Sequence, residues 1–228
     1  MYQIATDLSL RDNCNRRKYL NPYEDVLSLN RFLHDALPAG CIGEVRPIKP
    51  GDEQFLAAVE AEGLERAVLS VRQASGAGRD IARILCGKLG VPTAGIPRSP
   101  KRYPIWPDGI TGSITHDAEF AAAVIAPTHR FGGVGIDIEP AVPLTPEIRR
   151  LVGQPDEWAD VSNLSLCDKA LFSIKEAVFK AVYPRDEIFL DFHDVSVAFA
   201  PQTATLSYGG TVHWRILSSP RVLAIAWR

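Results

Sequence analysis

Residues 131–140 read "FGGVGIDIEP", a short apolar run with two acids, opened by glycines and closed by a proline. Side chains on a strand alternate between faces, so Ile136 and Ile138 share one face while Asp137 and Glu139 share the other. Two carboxylates side by side repel each other unless something positive joins them. The stretch is either an ordinary half-exposed strand or half of a metal site, and the segments around it must decide.

On the C-terminal side, "LTPEIRRLVG" (144–153) reads as a short helix, with Thr145 as cap, Pro146 in its first turn and Gly153 as its stop. The stretch "SLCDKALFSIKEAVFKAVYP" (165–184) predicts a long helix. Ser165 and Asp168 form a capping-box-like start, and Pro184 marks the end. Cys167, Leu171, Ile174, Val178 and Ala181 make its buried stripe, and Phe172, Glu176 and Lys180 share a neighbouring face. Alone, Glu176 and Lys180 read as an exposed i,i+4 ion pair. Set opposite Asp137 and Glu139, Glu176 instead supplies a third carboxylate of an all-oxygen site suited to Mg²⁺ or Mn²⁺. Four strands then close the chain: "DVSVAFA", "ATLSYGG", "TVHWRILS" and "RVLAIAWR".

On the N-terminal side, "ITGSITHD" (110–117) and "EFAAAVIA" (119–126) predict two strands joined by a short turn. Thr111, Ser113 and Thr115 project from one strand face, with His116 at the strand end. Farther back, "CIGEVRPI" is a strand, and "NPYEDVLSLNRFLHDALPAG" (21–40) is a helix with Asn21 as cap and Gly40 as its end. From about Gln54 towards Gly90 the pattern is helical, with a break expected at "SGAG" (75–78) and Arg79 and Arg83 on one exposed face. "RSPKRYPIWPDG" (98–109) is a loop. Strand, helix and antiparallel strands thus occur twice, which predicts an α+β fold of two similar halves, 1–130 and 131–228, each a small antiparallel sheet with a long helix. The cleft between the halves is where a site is expected, and the glycines before Asp137 would let backbone run close to a ligand there.

Composition narrows the chemistry. A chain of 228 residues, 46% hydrophobic and 23% charged, has the balance of a globular protein in water. No apolar run approaches the roughly 20 residues that span a bilayer, and the N-terminus lacks a signal peptide's order. Cys14, Cys41, Cys86 and Cys167 are widely spaced, which argues against a disulfide framework or zinc ribbon and fits a cytoplasmic protein. The net charge of −2 hides a basic segment from Arg66 to Arg102 with eight basic residues and one acid. Such a segment suits a polyanion such as a phosphate, nucleotide or nucleic acid. Aromatic residues are not interleaved with the basic ones, which speaks against single-stranded nucleic acid. No G-x-S-x-G elbow accompanies Ser113 and His116, and "SGAGRD" is not a P-loop.

The order "GSITHD", "GVGIDIEP" and, about 35 residues on, "LFSIKEAVFKAVYP" resembles the three motifs of the 4′-phosphopantetheinyl transferases. The likeness is to the large single-chain class, in particular its branch serving siderophore synthetases such as those making enterobactin. In that branch "WPDG" precedes the Ser/Thr-His strand and a G-R-x-x-A-R helix lies upstream; here they stand as "WPDGITGSITH" and "GRDIAR". The resemblance covers residues 66–184. It implies transfer of the phosphopantetheine arm of coenzyme A to a serine of an apo carrier protein, with release of 3′,5′-ADP. By the same resemblance Asp137, Glu139 and Glu176 hold Mg²⁺, and Glu176 also serves as base for the serine hydroxyl. Lys180 stabilises charge on the pyrophosphate with Lys175 nearby. His116 and Thr115 contact coenzyme A phosphates, joined by Arg72, Arg79, Arg83 and Lys101. Phe172 stands where the family often has Trp, Thr115 where Ser is usual, and Val71 where a second basic residue is common. Partners implied are coenzyme A and apo carrier domains, with no nucleic acid and a monomeric chain. Two other readings stay open on the residues alone: a Mg²⁺-dependent pyrophosphohydrolase and a non-catalytic coenzyme A-binding protein.

Overall fold

Strand β3, Phe120–Pro127, explains the layering. Ala121, Ala123 and Ile125 pack with Ile81 and Leu85 of a long helix, whereas Phe120, Ala122 and Val124 pack with Ile136, Ile138 and Ile225 of a second sheet. A strand covered on both faces reads as a continuous apolar run, which is why "FAAAVIA" shows no alternation. The computed structural model describes residues 22–228, and in it the chain stacks as helix, sheet, sheet, helix.

In chain order the elements are α1 Pro22–Ala36, β1 Ile42–Pro47, a 3₁₀ turn Asp52–Phe55, α2 Ala58–Ala61, α3 Leu69–Lys88, β2 Ile110–His116, β3 and β4 Val134–Pro140. They continue with α4 Pro146–Val152, α5 Pro155–Asn163, α6 Lys169–Asp186, a 3₁₀ turn Phe192–Asp194, β5 Val195–Ala198, β6 Thr203–Leu206, β7 Thr211–Leu217 and β8 Arg221–Trp227. Both sheets are antiparallel, ordered β1-β3-β2 and β4-β8-β7-β6-β5. The α+β class and the repeated pairing of an antiparallel sheet with a long helix are as the sequence predicts. The second sheet has five strands against three in the first. The expected cap Asn21, like Cys14, lies outside the described residues.

Three local expectations need correction. No break occurs at "SGAG": α3 runs through it, and the interruption falls instead between Glu62 and Val68. A Cβ on Gly76 would lie 2.0 Å from the carbonyl oxygen of Asp52, so this glycine lets another backbone approach the helix and does not end it. Helix α6 begins at Lys169, not Ser165. Ser165 sits at φ 54° and the Asp168 carboxylate pairs with Arg149 at 2.6 Å, so no capping box forms. The helix also runs past Pro184 to Asp186. Helix α5 escaped the sequence reading, although Pro155 in its first turn followed by Asp156 and Glu157 is a start signal.

The glycines before Asp137 have a further role. Val134, Ile136 and Ile138 enter the core between the sheets, so Gly133, Gly135, Asp137 and Glu139 face the other way, towards α6. A Cβ on Gly133 or Gly135 would stand 1.9 Å from the carbonyl oxygen of Ala181 or Ala177. What these glycines admit is helix α6 itself, and its close approach brings Glu176 and Lys180 to the acids of β4.

Candidate active site

The acids of β4 meet two lysines of the same helix, α6. Asp137 is buried, and its Oδ1 accepts from Lys180 Nζ at 2.6 Å. Its Oδ2 is also buried and has no hydrogen-bond partner. Glu139 accepts from Lys169 Nζ at 2.7 Å, and that ammonium stands 5.0 Å over the Phe172 ring. Glu176 lies close enough to feel both acids. Burial pushes its carboxyl above the usual carboxylate range, the Asp137 and Glu139 charges add to that, and Lys180 opposes it. The exposed Glu176–Lys180 pair of the bland reading does not form; Lys180 reaches across to β4 instead.

Among the described residues, no three His, Cys, Asp or Glu side chains form a ready metal cluster. The chemistry of the acids nonetheless fits a hard cation. A buried, unpartnered carboxylate oxygen on Asp137 and a Glu176 carboxyl destabilised by two neighbouring acids are both relieved by positive charge.

A second cluster lies on the other face of β2. Ser75, Arg79, Arg98, Arg102 and His116 line a recess of about 150 Å³. Arg79 is 4% exposed; its Nε donates to the Ile96 carbonyl at 3.2 Å and its Nη1 to Ser75 Oγ at 2.6 Å. Burial, with Arg98 and Arg83 nearby, lowers the Arg79 pKa, while Glu60 opposes the change. Burial and Arg102 lower that of Arg98. His116 opens to solvent on one side but is crowded by protein on the other, and that crowding, with Lys180 and Arg98, lowers its pKa against the pull of Asp117. Cations that disfavour one another's charge in a recess are the arrangement an anion stabilises.

Strand alternation separates the two residues that the sequence reading grouped. His116 joins the arginines, whereas Thr115 Oγ1 lies 3.4 Å from both Asp137 Oδ1 and Lys180 Nζ. A cavity of about 380 Å³ extends from Glu176 and Lys180 between Ile114, Tyr103, Phe179 and Tyr183. Its lining comes from both halves and includes the four aromatic rings of Tyr103, Phe179, Tyr183 and Phe189.

Several expected residues are placed elsewhere. Arg79 and Arg83 do not share an exposed face: Arg83 pairs with the buried Glu60 and donates to the Phe55 carbonyl at 2.7 Å. Lys175 is 1% exposed and donates to Glu157 at 2.8 Å and to the Phe192 carbonyl at 2.9 Å, so its charge does not serve the cluster of Glu176. Arg72 lines a different hollow beside Glu53 and Glu65. Lys101 binds Glu187 at 2.6 Å at the mouth of the aromatic cavity, where Tyr103 also donates to Glu187 at 3.0 Å. Arg98 and Arg102, which the sequence reading counted in the basic segment without a role, complete the recess instead. The bridge between Arg98 and Pro104 folds their loop back onto it, a placement no periodicity could reveal.

Among the described residues, no helix is long and apolar enough to cross a membrane. The family model for the 4′-phosphopantetheinyl transferase N-terminal domain matches residues 59–126, and that for the 4′-phosphopantetheinyl transferase superfamily matches residues 133–226. The chain is 36% identical over 135 residues to the 4′-phosphopantetheinyl transferase Svp of Streptomyces mobaraensis, covering 57% of this chain and 55% of that protein. It is 35% identical over 162 residues to the 4′-phosphopantetheinyl transferase PptT of Mycobacterium tuberculosis, covering 69% and 70%. Enterobactin synthase component D of Salmonella typhimurium is 38% identical over a shorter stretch of 91 residues, 37% of each chain, and is a more distant relative. The matched stretch therefore spans little more than half the length of Svp. The two family matches fall on the two sheets and their long helices, one carrying the arginine recess and the other the acid–lysine cluster, and on that ground the chain belongs to the 4′-phosphopantetheinyl transferase superfamily.

Proposed function

We propose that the chain is a Mg²⁺-dependent 4′-phosphopantetheinyl transferase, moving the phosphopantetheine arm of coenzyme A to a serine of an apo carrier protein and releasing 3′,5′-ADP. In this reading residues 1–130 and 131–228 are the two halves, and the chain works as a cytoplasmic monomer. The observation that carries it is the end of β2: His116 faces the arginine recess, and Thr115, its neighbour, faces Asp137 and Lys180. One strand end thus separates a pocket for an isolated phosphate from a cluster suited to a pyrophosphate. Coenzyme A carries both groups, and the cavity beside Glu176, with Ile114, Phe179 and Tyr183 in its wall, offers an apolar surface to its pantetheine arm.

Arg79, Arg98 and His116 would hold the 3′-phosphate. Asp137, Glu139 and Glu176 would hold Mg²⁺, whose contribution when bound is to neutralise charge on the pyrophosphate. Lys180, on Asp137 at 2.6 Å, would add charge stabilisation to the pyrophosphate. A serine hydroxyl is a weak nucleophile at neutral pH and needs a base within hydrogen-bond reach. Glu176, within reach of the same charges as Asp137 and Lys180, would be that base. It takes the serine proton as the oxygen attacks the phosphorus bearing the pantetheine arm. The bond from that phosphorus to the bridging oxygen breaks, and the electron pair leaves with 3′,5′-ADP.

The test is incubation with an apo carrier, coenzyme A and Mg²⁺, followed by mass spectrometry of the carrier. A carrier heavier by one phosphopantetheine supports the reading; free phosphopantetheine with an unmodified carrier supports hydrolysis instead. Glu176→Gln is expected to abolish transfer while leaving coenzyme A bound, and native turnover in that variant would remove Glu176 as the base.

A further inference from the structure

Glu60 is 2% exposed and lies outside the recess, yet its carboxylate organises the recess wall. Oε2 accepts from the Ala57 peptide N–H at 2.8 Å and from the Arg83 guanidinium. Oε1 accepts from the Ile96 peptide N–H at 2.8 Å. The same residue, through its carbonyl, accepts from Arg79 Nε at 3.2 Å, and its side chain is fully buried. Ile96 is therefore held from three sides, and Arg98 follows two residues later. Glu60 also supplies the negative charge that favours a charged Arg79 against burial and its basic neighbours. No substrate atom needs to reach Glu60 for these effects to operate.

We propose that Glu60 is a positioning residue of the transfer site: by fixing the Ile96 backbone and the Arg83 guanidinium it sets Arg79 and Arg98 at the angle that grips the 3′-phosphate of coenzyme A. The inference rests on the reading of the arginine recess as a phosphate pocket. Removing the charge, or shortening the side chain, lets the segment from Gly95 to Arg98 shift. The loss then appears in recognition of the 3′-phosphate and not in the chemistry at the pyrophosphate.

The experiment compares coenzyme A with dephospho-coenzyme A, which lacks only that phosphate. KM and kcat are measured for both, with an apo carrier, in the native chain, Glu60→Gln and Glu60→Asp. Glu157→Gln, which weakens a buried carboxylate of the same kind in the other half, serves as the structural control. In the Glu60 variants KM for coenzyme A is expected to rise on the order of tenfold, with kcat and the KM for dephospho-coenzyme A little changed. Glu157→Gln is expected to lower the melting temperature and keep the native preference for coenzyme A. If either Glu60 variant folds with the native preference, the proposal is overturned. The same holds if Glu157→Gln loses the preference equally, since general loosening then accounts for the effect. A native chain with no preference for coenzyme A overturns both the phosphate pocket and this proposal. A native chain that transfers no arm at all instead sinks the functional reading, and that failure is visible before any variant is made.

Discussion

Glu60 and Glu157 are built alike in two halves of different sequence. Each is a buried glutamate whose Oε2 accepts at 2.8 Å from a peptide N–H three residues earlier, of Ala57 and of Gln154. Each uses Oε1 to accept at 2.8 Å from a distant peptide N–H, of Ile96 and of Val197. Each also takes a cation from the long helix of its half, Arg83 from α3 and Lys175 from α6. The difference lies in the cations. The Arg83 side chain is 18% exposed and reaches other acceptors at the surface, whereas the Lys175 side chain is 1% exposed. Burial lowers the Lys175 pKa, and Glu157 opposes that change. The first half thus anchors the loop that carries Arg98, and the second anchors the helix that carries Glu176.

The largest effect should separate these two cations. Lys175→Ala leaves Glu157 a buried carboxylate without its counter-charge, and is expected to cost about 3–5 kcal/mol of stability. Arg83→Ala opens a channel that water can enter, and is expected to cost about 1–3 kcal/mol. Urea denaturation of both variants beside the native chain checks the ranking. Equal losses would mean that the backbone donors, and not the cations, hold the two carboxylates.

Glu176 offers the next test, because its raised pKa has a definite sign for stability. Its folded pKa lies above its unfolded one, so its ionisation begins to disfavour the fold as pH rises past the unfolded value, and the penalty is complete above the folded one. Glu176→Gln should therefore melt above the native chain at pH 7 in metal-free buffer, and the difference should vanish at a pH where both forms are neutral. A variant melting below the native chain at pH 7 would mean that the Glu176 carboxylate is stabilised where it stands and that burial beside Asp137 and Glu139 does not disfavour its charge.

The sequence made the local half of this site legible. Period-two alternation placed Asp137 and Glu139 on one face, and the stripe of Leu171, Ile174 and Val178 fixed the face of α6 on which Glu176 and Lys180 lie. Alternation also separates Thr115 from His116, although the resemblance groups both as phosphate contacts. What could not be read is which acid each cation meets. Arg83 lies one helical turn from Arg79 and Lys175 is next to Glu176, yet both turn to glutamates on other elements. Those glutamates close capping turns whose first residues, Ala57 and Gln154, are not the Ser, Thr, Asp or Asn that signal a helix start. The glycines of "SGAG" are illegible for a related reason: glycine costs a helix about 1 kcal/mol, and only the tertiary approach of Asp52 to Gly76 and of Ile114 to Gly78 explains why the helix carries them.

The smallest effect concerns Lys101, which the resemblance grouped with Arg79. Arg79 is buried with two of its nitrogens bonded to protein, so it presents a fixed guanidinium to an anion. Lys101 is exposed and paired with Glu187. A charge-assisted hydrogen bond is worth about 1.5–3 kcal/mol, so Arg79→Ala should raise KM for coenzyme A by roughly 10- to 100-fold. An exposed pair contributes little, and Lys101→Ala should change that KM by less than about threefold. Glu187→Gln, which frees Lys101 without removing it, should leave KM unchanged or slightly lower. Isothermal titration with 3′,5′-ADP gives the same ranking without the carrier. If Lys101→Ala weakened binding as much as Arg79→Ala, Lys101 would have to leave Glu187 on binding, and the Lys101–Glu187 bridge would be a contact that the substrate breaks and not part of the cavity wall.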